Sequence, residues 1–204
     1  ARGAGGRLPP GQTLTDKFPV LDLGVRPAFD PAAWRFRVWG AVERPLEWTW
    51  ERFRALPRAR LTADFHCVTR WSRYDLAWEG VPVSAVLELV RPRPEAAFLV
   101  QHCAEGYTTN VPLADARGED CLLADTLEGA PLPLEHGGPL RMLIPRLYAW
   151  KSGKFLVGLE LSAVDKPGFW ETRGYHNRAD PWLDERYCDP ASPPPGADDP
   201  VPGL

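Results

Sequence analysis

Two groups of residues carry the chemistry to hold or transform a ligand. The first is Cys67, within Asp64-Phe65-His66-Cys67-Val68-Thr69-Arg70-Trp71-Ser72. It closes an apolar run that reads as a strand and stands directly before a polar, aromatic turn. A thiol there points from a rigid element into a cleft walled by Trp71. A nucleophilic cysteine needs a base, and the adjacent His66 falls on the opposite face of a strand, where successive side chains alternate. A soft thiolate ligand for a metal needs no such base. Against both stands the ordinary buried cysteine, a small hydrophobe.

The second group is cationic. Arg141 follows Glu135-His136-Gly137-Gly138-Pro139 and leads into an apolar strand. It is either a rim charge or a forked donor for phosphate. Lys151-Ser152-Gly153-Lys154 is a tight turn with two ammonium groups and free backbone N–H groups, the makings of an anion nest or of a solvated loop. Tyr107 opens a segment rich in hydrogen-bonding side chains, Gly106–Ala116, where a tyrosine ordinarily packs its ring and bonds its hydroxyl. His176 and Asp180 lie four apart, but Pro181 argues against a helix that would pair them as ligands. Their aromatic, charged surroundings fit a segment wrapping over a sheet.

Strands must position these groups. Trp34–Val38 alternates apolar and polar, and Leu61–Cys67, Ala97–Gln101, Cys121–Asp125, Arg141–Ile144 and Phe155–Ala163 read as further strands. Thr49 is placed to cap a short helix ending at Pro57. After a turn at Glu79-Gly80, Pro82 suits a helix start, with Val83, Val86, Leu87 and Val90 on one face. The pattern is that of an α+β domain with mixed or antiparallel sheets, short helices and long functional loops. Residues 1–14 form a Gly/Pro-rich arm, 15–188 the catalytic domain, and 189–204 a Pro-rich tail.

Composition excludes several classes. The 204 residues, 44% of them hydrophobic, suit one domain with a real core. A net charge of −3 argues against a nucleic-acid surface, and no apolar run is long enough to span a membrane. The four cysteines form no CxxC, so a disulfide framework and a structural zinc site are both disfavoured. Isolated thiols suit the cytoplasm. Met142 is the only methionine, which leaves open an exported form whose signal was removed.

The ordered set Arg7–Gln12 (RLPPGQ), FPVL, HCVTRWS, WEGVPV, GYTTNVPL, LEGAPLPLEHGGPLRMLIP, WKSGKFL and GFWETRGYHNRADPW resembles the sulfite-oxidase superfamily of molybdopterin oxidoreductases. The likeness runs from about Arg7 to Tyr187 and is closest to short, stand-alone bacterial members. It implies the sulfite-oxidase-type molybdopterin-binding fold, with Cys67 as the protein thiolate on molybdenum. It implies further that His136 and Arg141 meet the edge and phosphate of a mononuclear molybdenum-pterin, and that Lys151, Ser152, Gly153 and Lys154 close over it. It places His102 at a cofactor-contacting strand end and Tyr107 on the substrate side.

The departures bear on substrate. Where sulfite oxidases carry Arg-Asn-His, this chain has Thr15-Asp16-Lys17, and Trp71-Ser72 replaces an Arg pair. Trp-Ser is instead similar to the catalytic subunit of protein-methionine-sulfoxide reductase. The expected activity is two-electron oxygen-atom transfer on a small S- or N-oxide, coupled to an unidentified electron donor or acceptor protein. Sulfite oxidation and a non-catalytic pterin-binding module are the alternatives. Arg70 and Lys17 are the nearest replacements for the missing sulfite-binding cations.

Overall fold

The protein, described as a computed structural model over residues 6–195, builds two sheets from short strands joined by long loops. Residues 1–5 of the expected arm and 196–204 of the expected tail lie outside the described residues.

In chain order the elements are β1 (Thr13–Leu14), β2 (Arg35–Gly40), β3 (Leu46–Thr49), α1 (Trp50–Arg54), β4 (Ala59–His66), β5 (Trp71–Pro82), α2 (Val83–Val90), β6 (Phe98–Cys103), β7 (Thr108–Pro112), α3 (Leu113–Ala116), β8 (Leu122–Leu127), β9 (Ala130–Pro131), β10 (Arg141–Leu143) and β11 (Leu156–Ser162). One sheet runs β1-β5-β8-β10, with β4 also on β5 and β9 on β8. The other runs β3-β2-β11-β6-β7. Pairing is antiparallel except β1 with β5 and β11 with β2, so the sheets are mixed.

Thr49 caps α1 by accepting the Arg52 amide. Helix α2 starts after Pro82 and buries Val83, Val86, Leu87 and Val90, the face set by the 3.6-residue period. Together with residues of both sheets, such as Leu123, Met142 and Leu159, these build the larger core cluster.

One expected turn is a strand. Glu79-Gly80 lies inside the twelve-residue β5, at a shift in its register with β8. A Cβ on Gly80 would sit 2.1 Å from the Leu123 carbonyl oxygen. The glycine is there because two backbones approach closely, which a single sequence does not distinguish from a turn. The segment Gly106–Ala116, read for its hydrogen-bonding side chains, contains the strand β7.

A second, aromatic core cluster gathers Phe65, Trp71, Trp78, Tyr148, Trp150 and Tyr175 around Cys67. The candidate site opens within it.

Candidate active site

Strand β4 ends at His66, and the chain then makes a tight turn that presents Cys67. The Arg70 amide donates to the Cys67 carbonyl at 3.2 Å, and the Cys67 amide to the Trp71 carbonyl at 2.9 Å. Two distant residues brace the turn: Gln12 Nε2 donates to the Cys67 carbonyl at 3.0 Å and Arg186 Nη1 to the Val68 carbonyl at 2.5 Å. The Cys67 side chain lines a cavity of about 320 Å³, while the His66 ring faces a separate cavity behind the sheet, 2.8 Å from Ser72 Oγ. A dyad between these two neighbours is therefore not formed. That rear cavity is charged, but Arg7 pairs with Asp64, Arg146 with Asp120 and Arg178 with Asp115.

Burial pushes the Cys67 thiol up, partly offset by hydrogen bonds from Thr69. Among the described residues no three His, Cys, Asp or Glu side chains converge on a common point. A metal caged by protein ligands alone, in the manner of structural zinc, is not built here.

The cavity's far wall is cationic. Arg141, only 2% exposed, donates to the His136 carbonyl at 2.8 Å and the Ser152 carbonyl at 2.9 Å, and lies 4.9 Å from the Phe65 ring centroid. Lys154 Nζ donates to the carbonyls of Leu21 and Glu135, both at 2.7 Å. Among the described residues neither cation forms an ion pair with a carboxylate. Burial lowers both, Arg141 to about 10 and Lys154 to about 8. Burial and the two neighbouring cations hold His136 neutral, down to about 4. Phe18 stacks on that imidazole at 4.2 Å. Gly137 makes the juxtaposition possible: its φ is +104°, and a Cβ would meet the Lys154 stem at 2.8 Å.

Uncompensated buried charge is costly, so this wall favours an anion. Phosphate fits the donor set, because Arg141 spends only three of its five N–H donors on carbonyls. Two buried polar atoms in the lining residues have no hydrogen-bond partner, Trp71 Nε1 and Glu105 Oε2. Burial raises Glu105 to about 7. A soft sulfur donor, two cations that among the described residues lack carboxylate partners, and two unsatisfied polar atoms in the lining residues fit a phosphorylated, metal-bearing, heteroaromatic group.

The structure thus gathers Cys67, Tyr107, His136, Arg141, Ser152, Gly153 and Lys154 on one cavity. Two expected residues lie elsewhere. Lys151 does not line it; its ammonium is fully buried, 2.6 Å from a Glu171 carboxylate oxygen and 2.8 Å from the Asn110 carbonyl. The need of a buried carboxylate for a counter-charge draws the lysine inward. His102 projects from β6 away from the cavity, its Nε2 3.2 Å from Glu160 and its ring against Trp39. Alternation along the strand puts His102 on the face opposite its neighbours Gln101 and Cys103. Tyr107 does line the cavity, but its hydroxyl donates to the Trp150 carbonyl at 2.7 Å.

Residues not singled out in the sequence complete the site. Gln101 clamps the cationic turn from β6, donating to the Lys151 carbonyl at 2.7 Å and accepting the Gly153 amide at 2.8 Å. Glu105 and Thr69 also face the cavity. No local pattern marks them, since each acquires its role from a chain segment distant in sequence or from the cavity itself.

A two-sheet α+β fold thus brings a cysteine-bearing turn to face two cations across one cavity. Residues 23–170 match the family described as oxidoreductase molybdopterin binding domain, and the chain belongs to that family. It is 44% identical over 183 residues to the Bacillus subtilis oxidoreductase YuiH, covering 89% of this chain and 92% of that one. It is 25% identical over 175 residues to the protein-methionine-sulfoxide reductase catalytic subunit MsrP of Campylobacter jejuni, covering 78% of this chain and 58% of that one. The fold is similar to the sulfane dehydrogenase SoxCD of Paracoccus pantotrophus, with a TM-score of 0.65 and 22% identity over 77% of this chain and 46% of that chain. The chain therefore spans about half the length of these last two proteins. Among the described residues no helix is long and apolar enough to cross a membrane.

Proposed function

We propose that this oxidoreductase holds a mononuclear molybdenum-pterin through Cys67 and reduces a small, neutral S-oxide by two-electron oxygen-atom transfer. The observation that carries the cofactor reading is a pair of cations, buried Arg141 and half-buried Lys154, which among the described residues have no carboxylate partner on the cavity that also holds Cys67. When bound, the group supplies the redox chemistry. The chain's own residues bind, orient and protonate. Cys67 offers a soft donor atom, and Arg141 and Lys154 neutralise the phosphate. His136, kept neutral, presents an imidazole that can hydrogen-bond without adding charge.

The substrate reading rests on what surrounds the thiol. Phe65, Trp71, Trp150, Trp170 and Tyr175, together with Val68, make an apolar, mostly aromatic wall. Among the described residues the only Lys or Arg side chains in the lining are Arg141 and Lys154, the two assigned to phosphate; Lys17 and Arg70 do not line it. Ser72, at a position where sulfite oxidases carry arginine, is buried and bonded to His66 and Gln12. A compact dianion such as sulfite needs fixed cationic donors to replace its water, whereas a neutral sulfoxide does not. Reduction of a sulfoxide to a sulfide consumes two electrons and two protons and releases water. Glu105, with its proton leaving at about pH 7, is a proton reservoir on the same cavity.

The test compares kcat/KM for dimethyl sulfoxide reduction, driven by an artificial donor, with that for sulfite oxidation on fully metallated protein. Sulfoxide reduction is expected to be the more efficient. Sulfite oxidation faster by about ten-fold, some 1.4 kcal/mol of transition-state binding, would overturn the substrate reading.

A further inference from the structure

We propose that Thr69 sets the reduction potential of the metal centre by hydrogen bonding to the sulfur of Cys67. The inference rests on the reading of Cys67 as the metal's thiolate ligand. Thr69 Oγ1 donates to Cys67 Sγ at 3.1 Å, within a side chain that is only 6% exposed. One residue therefore directs a hydroxyl donor at the atom read as the metal's ligand.

The shape of the turn does not depend on that hydroxyl. It is fixed by main-chain bonds from Arg70 to Cys67 and from Cys67 to Trp71, and by Gln12 and Arg186 reaching in from distant segments. The Thr69 side chain is half-buried and lines the cavity, so an isosteric valine fits the same space. Losing the hydroxyl removes a donor and little else.

The physical consequence has a definite sign. A thiolate that accepts a hydrogen bond gives less electron density to its metal, which favours the reduced state; hydrogen bonding around a ligating sulfur is a known lever on potential. Removing the donor makes the sulfur the stronger ligand and stabilises the oxidised state. Thr69 thus acts as a positioning residue, through Cys67.

The experiment uses wild-type, Thr69→Val, Thr69→Ser and Cys67→Ser proteins purified with cofactor. Metal and pterin content, sulfur coordination by X-ray absorption, and midpoint potentials from the paramagnetic signal are measured on each. Thr69→Val is expected to load metal as wild type does and to shift the reduction equilibrium toward oxidised by about ten-fold, about 59 mV for one electron. Thr69→Ser should stay within two-fold of wild type. A fully loaded Thr69→Val protein shifted by less than two-fold overturns the proposal, as does a variant that fails to load, which would make Thr69 a structural prop. Unchanged sulfur coordination in Cys67→Ser would instead defeat the ligand reading on which it rests.

Discussion

Lys154 is a cation held among carbonyl oxygens, and its lowered pKa of about 8 has consequences for binding and for stability. An anionic ligand favours the charged form, so the ammonium titrates higher with phosphate bound than without. Affinity for the pterin phosphate is therefore expected to fall as pH rises through about 8. Ionisation of Glu105 at about 7 works in the same direction, and His136 stays neutral throughout. In the empty protein the lysine pKa lies below its unfolded value, so the unfolded chain binds more protons between about 8 and 10.5, and the contribution of this group to stability rises with pH across that window. Binding titrations at pH 6 to 9 on wild type and Lys154→Met test this. The variant should bind more weakly and lose the pH 8 limb, and identical curves would remove Lys154 from the phosphate site. Arg141 is a poorer probe, because it also ties the His136 and Ser152 backbones together.

Several elements converge on Glu171, and their packing accounts for the placement of Lys151. One carboxylate oxygen takes hydrogen bonds from Thr109 Oγ1 at 2.7 Å and Trp150 Nε1 at 3.0 Å beside the Lys151 contact, and the other accepts the Gly168 amide at 3.0 Å. The network joins β7, the 3-10 turn at Ala149–Lys151 and the C-terminal wrap, and so fixes the base of the cationic turn. Burial lowers Lys151, and Glu171 opposes that shift. Lys151→Met leaves the carboxylate without its counter-charge and should cost about 3–5 kcal/mol of stability, read from the urea midpoint. The fraction that remains folded should load cofactor almost normally. A variant as stable as wild type but empty of pterin would return Lys151 to the phosphate. The sequence exposed the basic turn, since Lys, Ser and Gly adjoin there. It did not reveal which lysine turns inward, because Glu171 stands 20 positions on. Likewise the heptapeptide around Cys67 announced a strand end, yet the clamp on the basic turn comes from Gln101, 50 residues before Lys151. Glu79-Gly80 was misread as a turn for the same reason: the close contact with β8 that requires a glycine is tertiary.

At the scale of the whole molecule, two mixed sheets bring the Cys67 turn, the Gly137 turn and the Lys154 turn together around one cavity, although they are spread over nearly 90 residues of chain. Short strands and few helices were legible from alternation and Pro/Gly punctuation, and the α+β class followed. The order in which strands pair was not, as β11 inserts between β2 and β6 through contacts no local pattern encodes. The account as a whole depends on the cavity holding a metal through one protein sulfur. Its most direct test is elemental and pterin analysis, with X-ray absorption at the molybdenum edge, on wild type and Cys67→Ser expressed in a cofactor-competent host. Near-stoichiometric molybdenum and pterin in wild type, with one sulfur neighbour fewer in the variant, is the expected result. Zinc or iron alone in wild type, or the same sulfur count in both proteins, would contradict it.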